Sequence, residues 1–87
     1  MSANLCILGA GSWGTALALQ AARNGFNTIL WGHNPQHVAQ IKLQGENARY
    51  LPGFRFPANL DVTDNLEAAV RESQLVLLVV PSHAFKK

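Results

Sequence analysis

The chain has 87 residues, enough for one small domain with one hydrophobic core. Charged residues make up only 14% of the chain, well below the usual share of about 25%, and the net charge is +2. This small charge, without a Lys/Arg cluster, argues against a nucleic-acid partner, and no apolar run approaches the ~18 residues of a membrane span. The low charged fraction suggests that further chain or a partner covers much of the surface.

The single cysteine, Cys6, lies within the first apolar run, which predicts a buried and unreactive core residue. One cysteine cannot form an internal disulfide, as is typical of proteins from a reducing compartment. The first four residues carry no basic segment, so a signal peptide is not expected. We therefore expect a soluble, cytoplasmic protein without membrane insertion, and no metal site.

Residues 5–18 form the most informative stretch, because an apolar run leads into Gly-x-Gly-x-x-Gly and a helix-forming run follows. A predicted strand before the motif and a helix after it are what the dinucleotide-binding fingerprint requires. Gly9 is expected to allow the tight turn, Gly11 to let a pyrophosphate approach the backbone, and Gly14 to let helix and strand pack closely. Free N–H groups near Ser12 would face the phosphates. The alternative is a glycine-rich turn that binds nothing.

Short apolar runs alternate with helical patterns along the rest of the chain. The predicted strands are 4–8, 27–31, 59–63 and 75–80, and the predicted helices are 12–24, 35–44 and 65–72. Strand, helix and strand within about 30 residues form a βαβ unit, whose strands are parallel. The six apolar residues at 75–80 predict the most clearly buried strand. The fold class predicted is α/β, a Rossmann-type doubly wound parallel sheet.

Capping signals set the predicted helix ends. Asn34 is expected to cap the helix 35–44, which ends at Gly45, with His37 on its solvated face. Asp64 is expected to cap the helix 65–72.

The end of the second predicted strand bears on the choice of nucleotide. The fingerprint usually places Asp or Glu there to bind the ribose 2′-hydroxyl of NAD, whereas this chain has Gly-His-Asn at 32–34 and no acidic residue before Glu46. A carboxylate would repel the 2′-phosphate of NADP, and His33 can donate a hydrogen bond to ribose or phosphate. NADP(H) is therefore favoured, and NAD(H) is possible. The alternative is that His33 merely ends a strand at the surface.

Two further segments are candidates for the site. Residues 47–57 predict a long ordered loop in which Tyr50 either covers a cofactor or packs with the other aromatics on local apolar surface. Ser82, His83 and Phe85 follow the strand 75–80 at the edge of the sheet where ligands bind. A catalytic nucleophile at Ser82 is disfavoured, because no orienting acid or oxyanion hole lies nearby in the sequence.

Four separated blocks, residues 9–18, 30–33, 47–53 and 79–85, resemble the NAD(P)-dependent glycerol-3-phosphate dehydrogenases of bacteria. The Tyr-Leu-Pro-Gly and Val-Pro-Ser-His sequences are more particular to that family than the glycine block. The resemblance implies reversible hydride transfer between dihydroxyacetone phosphate and sn-glycerol 3-phosphate, which feeds glycerophospholipid synthesis.

The resemblance also implies roles for individual residues. Ser12 and Trp13 match contacts of the pyrophosphate turn, and His33 matches the residue at the adenosine ribose or its 2′-phosphate. Tyr50 matches a further cofactor contact, and Phe85 matches a position near the nicotinamide. With the three glycines of the fingerprint, these are the predicted cofactor-binding residues.

The chain departs from the family in extent. The two catalytic and substrate-binding lysines of the family lie further along, and Lys86 and Lys87 come too early to match the first of them. We therefore expect no catalytic residue in residues 1–87, which would be the partial N-terminal half of the NAD(P)-binding domain. The helical C-terminal domain that would bind the phosphate substrate is expected to be absent, and a homodimer is possible at full length.

Two other functions remain open at this point. One is a stand-alone dinucleotide-binding or redox-sensing module without catalysis. The other is a related β-hydroxyacid or 6-phosphogluconate-type dehydrogenase, against which the Tyr-Leu-Pro-Gly sequence argues.

Overall fold

The computed structural model describes residues 3–79, which fold as alternating strands and helices. In chain order the elements are β1 (Ala3–Leu8), α1 (Ser12–Arg23), β2 (Thr28–Trp31), α2 (Pro35–Gln44), β3 (Glu46–Asn47), β4 (Leu51–Arg55), β5 (Leu60–Thr63), α3 (Leu66–Arg71) and β6 (Ser73–Leu78). None of the helices in this part of the chain is long and apolar enough to cross a membrane.

Four of the strands form one parallel sheet in the order β5-β2-β1-β6. In the centre, Ile7 of β1 lies opposite Leu30 of β2 on one side and Leu77 of β6 on the other. The chain first builds outward from β1 to β2 and β5, and then crosses to the other side of β1 to place β6. The reversal of direction lies between β1 and β6.

Both faces of the sheet are packed, because successive side chains of a strand point to opposite sides. Ile7 and Leu30 are fully buried against α1 and α2, in a cluster that includes Leu19 and Ile41. On the opposite face, a smaller cluster packs Ala69 of α3 against the sheet. Helices on both faces of a parallel sheet confirm the predicted doubly wound α/β fold.

Cys6 belongs to the smaller cluster and is fully buried, as the sequence predicts. Burial raises the pKa of the Cys6 thiol, although a hydrogen bond with Ser73 acts in the opposite direction. A thiol with a raised pKa forms less of the reactive thiolate, so Cys6 is a core residue of low reactivity.

The prediction that the last strand is the most buried was wrong. β6 spans Ser73–Leu78 rather than 75–80, and Leu75 and Leu78 are 57% and 69% exposed. The strand lies at the edge of the described sheet, and β1 is its only neighbouring strand among the described residues. An apolar sequence favours burial of a strand, but the actual burial depends on which other elements pack against it.

Two local predictions also need correction. The segment 47–57 is not only a loop, because it contains the end of β3 and all of β4, which pair in an antiparallel hairpin. The cap of α3 is Asn65, whose side chain accepts a hydrogen bond from the N–H of Ala68, and not Asp64. The predicted cap of α2 is confirmed, because the Asn34 side chain accepts from two N–H groups of the first turn.

We expect Leu30→Ala to lower the free energy of unfolding by about 2–5 kcal/mol, because it leaves a cavity in the larger cluster. Leu43→Ala on α2 is the matched control, because Leu43 is 87% exposed, and its expected change is below about 0.5 kcal/mol. Urea denaturation followed by circular dichroism measures both. Equal effects of the two variants would contradict the described core.

Candidate functional site

The site is built on the turn that joins β1 to α1. Gly9 has φ +129°, a left-handed conformation that residues with a side chain rarely adopt. A Cβ atom on Gly9 would also run into the backbone carbonyl of Val79, which follows β6. The turn therefore passes directly beside the end of the neighbouring strand.

Gly14 and Gly11 differ in what surrounds them. A Cβ atom on Gly14 would collide with the Gly9 carbonyl oxygen and would lie 3.6 Å from Cγ2 of Ile7, so this glycine brings α1 close to β1. A Cβ atom on Gly11 would meet no protein atom within 4 Å. Packing thus explains Gly14, whereas the space beside Gly11 is free for a ligand.

The N-terminus of α1 has no side-chain cap. Gly11 occupies the capping position, no side chain accepts a hydrogen bond from the first turn, and the first turn contains no acidic residue. The first N–H groups of a helix have no partner within it, and they carry the positive end of the helix dipole. Such an end is suited to a phosphate group.

A cavity of about 830 Å³ opens beside this turn, at the carboxyl ends of β1, β2 and β6. Seven of the eight predicted cofactor-binding residues line it, namely Gly9, Gly11, Ser12, Trp13, Gly14, His33 and Tyr50. The eighth, Phe85, lies outside the described residues, as do Ser82 and His83. The structure brings together residues that the sequence spreads over 42 positions, from Gly9 to Tyr50.

The side chains around the cavity favour an anionic ligand. None of the lining residues among those described is Asp or Glu, whereas Arg49 is among them. The Arg49 guanidinium lies over the Tyr50 ring, 5.2 Å from its centroid. His33 is exposed at the end of β2, with its ring centroid 6.4 Å from that of Trp31.

The sequence analysis missed a buried polar cluster behind the cavity. Asn47 is fully buried, and its side chain is hydrogen-bonded to His37, to Thr15 and to the backbone carbonyl of Ala10. His37, predicted on the solvated face of α2, is instead 8% exposed, and its ring lies against Tyr50. The one available signal was Thr15, a polar residue on an otherwise apolar side of α1.

The cavity lies where the order of the strands reverses, between β1 and β6. In open α/β sheets, ligands bind outside the carboxyl ends of the strands at such a switch point. The parallel sheet, its two helical layers and the glycine turn at this point define a Rossmann-type α/β domain.

Comparison with known proteins identifies the family. The profile of the family described as NAD-dependent glycerol-3-phosphate dehydrogenase N-terminus matches residues 4–87. The chain belongs to this family. That membership confirms the resemblance found in the sequence.

Individual relatives agree with the family profile. The chain is 49% identical, over 86 residues and 99% of its length, to a glycerol-3-phosphate dehydrogenase (NAD(P)+) of Desulfotalea psychrophila. It is 53% identical over 81 residues, or 93% of its length, to the enzyme of that name from Legionella pneumophila strain Lens. The crystal structure of a glycerol-3-phosphate dehydrogenase from Coxiella burnetii matches 97% of the chain with a TM-score of 0.87 and 45% identity.

The match covers only part of these relatives. The chain spans 25% of the length of the Desulfotalea and Legionella proteins and 26% of the Coxiella chain.

We expect Gly14→Ala and Gly11→Ala to have different effects. Gly14→Ala is expected to lower the free energy of unfolding by about 1–3 kcal/mol, because the methyl group meets backbone that cannot move aside. Gly11→Ala is expected to cost less than about 1 kcal/mol, because φ is −79° there and the space is open, and yet to weaken the binding of a nicotinamide dinucleotide. Urea denaturation and a nucleotide titration separate the two effects. A stable Gly14→Ala variant would contradict the described turn.

Proposed function

We propose that this chain forms the nucleotide-binding part of an NAD(P)-dependent glycerol-3-phosphate dehydrogenase. The observation that carries the proposal is the cavity at the switch point, where an uncapped helix N-terminus meets an open glycine and no described lining residue is acidic. Residues 1–87 would then be a partial dinucleotide-binding domain, and a further helical domain would bind the phosphate substrate.

The residues fit the pyrophosphate of a dinucleotide. The open side of Gly11 leaves room for phosphate oxygens to approach the backbone, and the N–H groups that begin α1 are free to donate to them. The exposed Trp13 and the Tyr50 ring would enclose the bound nucleotide from two sides of the cavity. When bound, the nicotinamide dinucleotide supplies or accepts the hydride.

The electrostatics of the cavity support NADP(H) as the preferred nucleotide. His33 follows β2, at the position where a carboxylate would bind the ribose of NAD. A 2′-phosphate at this place would meet a hydrogen-bond donor at His33 and the positive charge of Arg49, and no described carboxylate of the lining would repel it. NAD(H) would lack these interactions and is the weaker ligand.

The first test is a titration of the chain with NADPH and with NADH, followed by the fluorescence of Trp13 and Trp31, which both line the cavity. We expect tighter binding of NADPH. His33→Ala is expected to weaken NADPH binding about fivefold to tenfold, the effect of one hydrogen bond to a charged group, and to change NADH binding little.

Gln40→Ala, on the exposed side of α2 and away from the cavity, is the control and should leave both affinities unchanged. If neither nucleotide changes the fluorescence of a chain shown to be folded by circular dichroism, the proposed function fails. If NADH binds as tightly as NADPH, only the preference fails.

The second test concerns catalysis. No catalytic residue is expected within residues 1–87, so this chain should bind NADPH without oxidising it when dihydroxyacetone phosphate is added. A longer product of the same gene should oxidise NADPH under these conditions, as measured by absorbance at the nicotinamide band. Turnover by the 87-residue chain alone would contradict the division of roles.

The same longer product separates the enzyme from a stand-alone binding or redox-sensing module. Nucleotide binding without turnover by the longer product would favour the module. A coding sequence that ends directly after Lys87 would favour it as well. The enzyme, by contrast, would act in the cytoplasm and supply sn-glycerol 3-phosphate for glycerophospholipid synthesis, as a homodimer at full length.

A further inference from the structure

Asn47 connects four separate segments behind the cavity. Its side-chain nitrogen lies 3.0 Å from the carbonyl oxygen of Ala10 and 2.8 Å from the hydroxyl of Thr15. Its side-chain oxygen lies 2.9 Å from Nε2 of His37 and accepts a further, longer bond from the N–H of Tyr50. The glycine turn, α1, α2 and the hairpin connection that carries Tyr50 therefore meet at one fully buried amide.

The orientation of this amide follows from its partners. The Ala10 carbonyl can only accept a hydrogen bond, so the NH₂ group of Asn47 must face it. The Asn47 oxygen then faces His37, whose Nε2 must carry a proton and donate it. Both halves of the amide are satisfied, and no buried side-chain polar atom among the described residues lacks a partner.

The bond to Ala10 also fixes the next peptide unit. A trans peptide group is planar, so the Gly11 N–H points opposite to the Ala10 carbonyl, and the described chain contains no cis peptide bond. The carbonyl points inward to the buried Asn47, and the N–H of Gly11 therefore points away from it. Gly11 itself lines the cavity.

We propose that Asn47 is a positioning residue that holds the Ala10–Gly11 peptide with its N–H directed at a phosphate of the bound nucleotide. This inference rests on the proposed function and assigns its phosphate recognition to a side chain outside the glycine motif. Through the Tyr50 N–H, the same amide holds the aromatic side of the cavity in register with the turn.

The test compares Asn47→Ala with Asn59→Ala. Asn59 is a matched control, because its side-chain NH₂ group also ties α1 to a distant segment, donating to the carbonyls of Ala22 and Phe26 at 2.8 and 3.2 Å. It lies at the other end of α1 and does not line the cavity. Stability is measured by urea denaturation, and NADPH affinity is measured by tryptophan fluorescence. The ¹⁵N–¹H chemical shift of Gly11 in the absence of nucleotide reports the environment of its N–H group.

We expect Asn47→Ala to weaken NADPH binding about tenfold in the folded chain and to shift the Gly11 resonance, because one fixed donor is lost. Asn59→Ala is expected to lower stability without either effect. NADPH affinity within twofold of the wild type, an unchanged Gly11 resonance, or an equal loss of affinity in Asn59→Ala would each overturn the inference.

If Asn47→Ala does not fold, Thr15→Val replaces it, because this change removes one of the acceptors that orient the amide and keeps the side-chain volume. A loss of NADPH affinity of about threefold with a shifted Gly11 resonance supports the inference, and the absence of both overturns it. Absence of NADPH and NADH binding by the wild type overturns the proposed function, whereas the Gly11 resonance tests the peptide orientation independently.

Discussion

The close approach of the Gly9 carbonyl to Gly14 is the constraint on which the site depends. Because Gly14 has no side chain, the first turn of α1 can lie directly over the end of β1. This places the free N–H groups of the helix at the carboxyl edge of the sheet, beside the point where the order of the strands reverses. A bulkier residue at Gly14 would displace the helix and, with it, one side of the cavity.

The order of the sheet turns this local arrangement into a site. β1 lies between β2 and β6, so the turn that follows it is flanked by the ends of two other strands. His33 comes from one of these strand ends, whereas the Val79 backbone comes from the other. The hairpin after α2 closes a further side with Tyr50. Nucleotide recognition, as proposed here, is thus shared among segments that are far apart in the sequence.

The sequence predicts well what depends on local chemistry. The strand, the glycine turn and α1 each have their own signal within residues 5–18, and Asn34 and Gly45 mark the ends of α2 as predicted. Adjacent Asp64 and Asn65 are both good capping residues, so the sequence cannot choose between them, and the structure selects Asn65. The prediction that His33 and Tyr50 contact the same cofactor rests more on the family resemblance than on the local sequence around each residue.

The sequence predicts poorly what depends on distant neighbours. Asn47 is 37 positions from Ala10 and 32 from Thr15, so no local pattern shows that it is buried or hydrogen-bonded. His37 looks like a residue of the polar face of α2, and its burial is explained by the distant Asn47 and Tyr50, which contact its ring. Leu75 and Leu78 show the opposite effect, because they are apolar and yet exposed. The sequence of an edge strand does not show whether another element packs against it.

The most direct test of the account is a map of the backbone amide resonances that NADPH shifts in the ¹⁵N-labelled chain. The account predicts the largest shifts at residues 11–13, with further shifts at His33 and Tyr50, and little change at 24–27 and Asn59 at the opposite edge of the sheet. Largest shifts at that opposite edge, or none at the glycine turn, would contradict it.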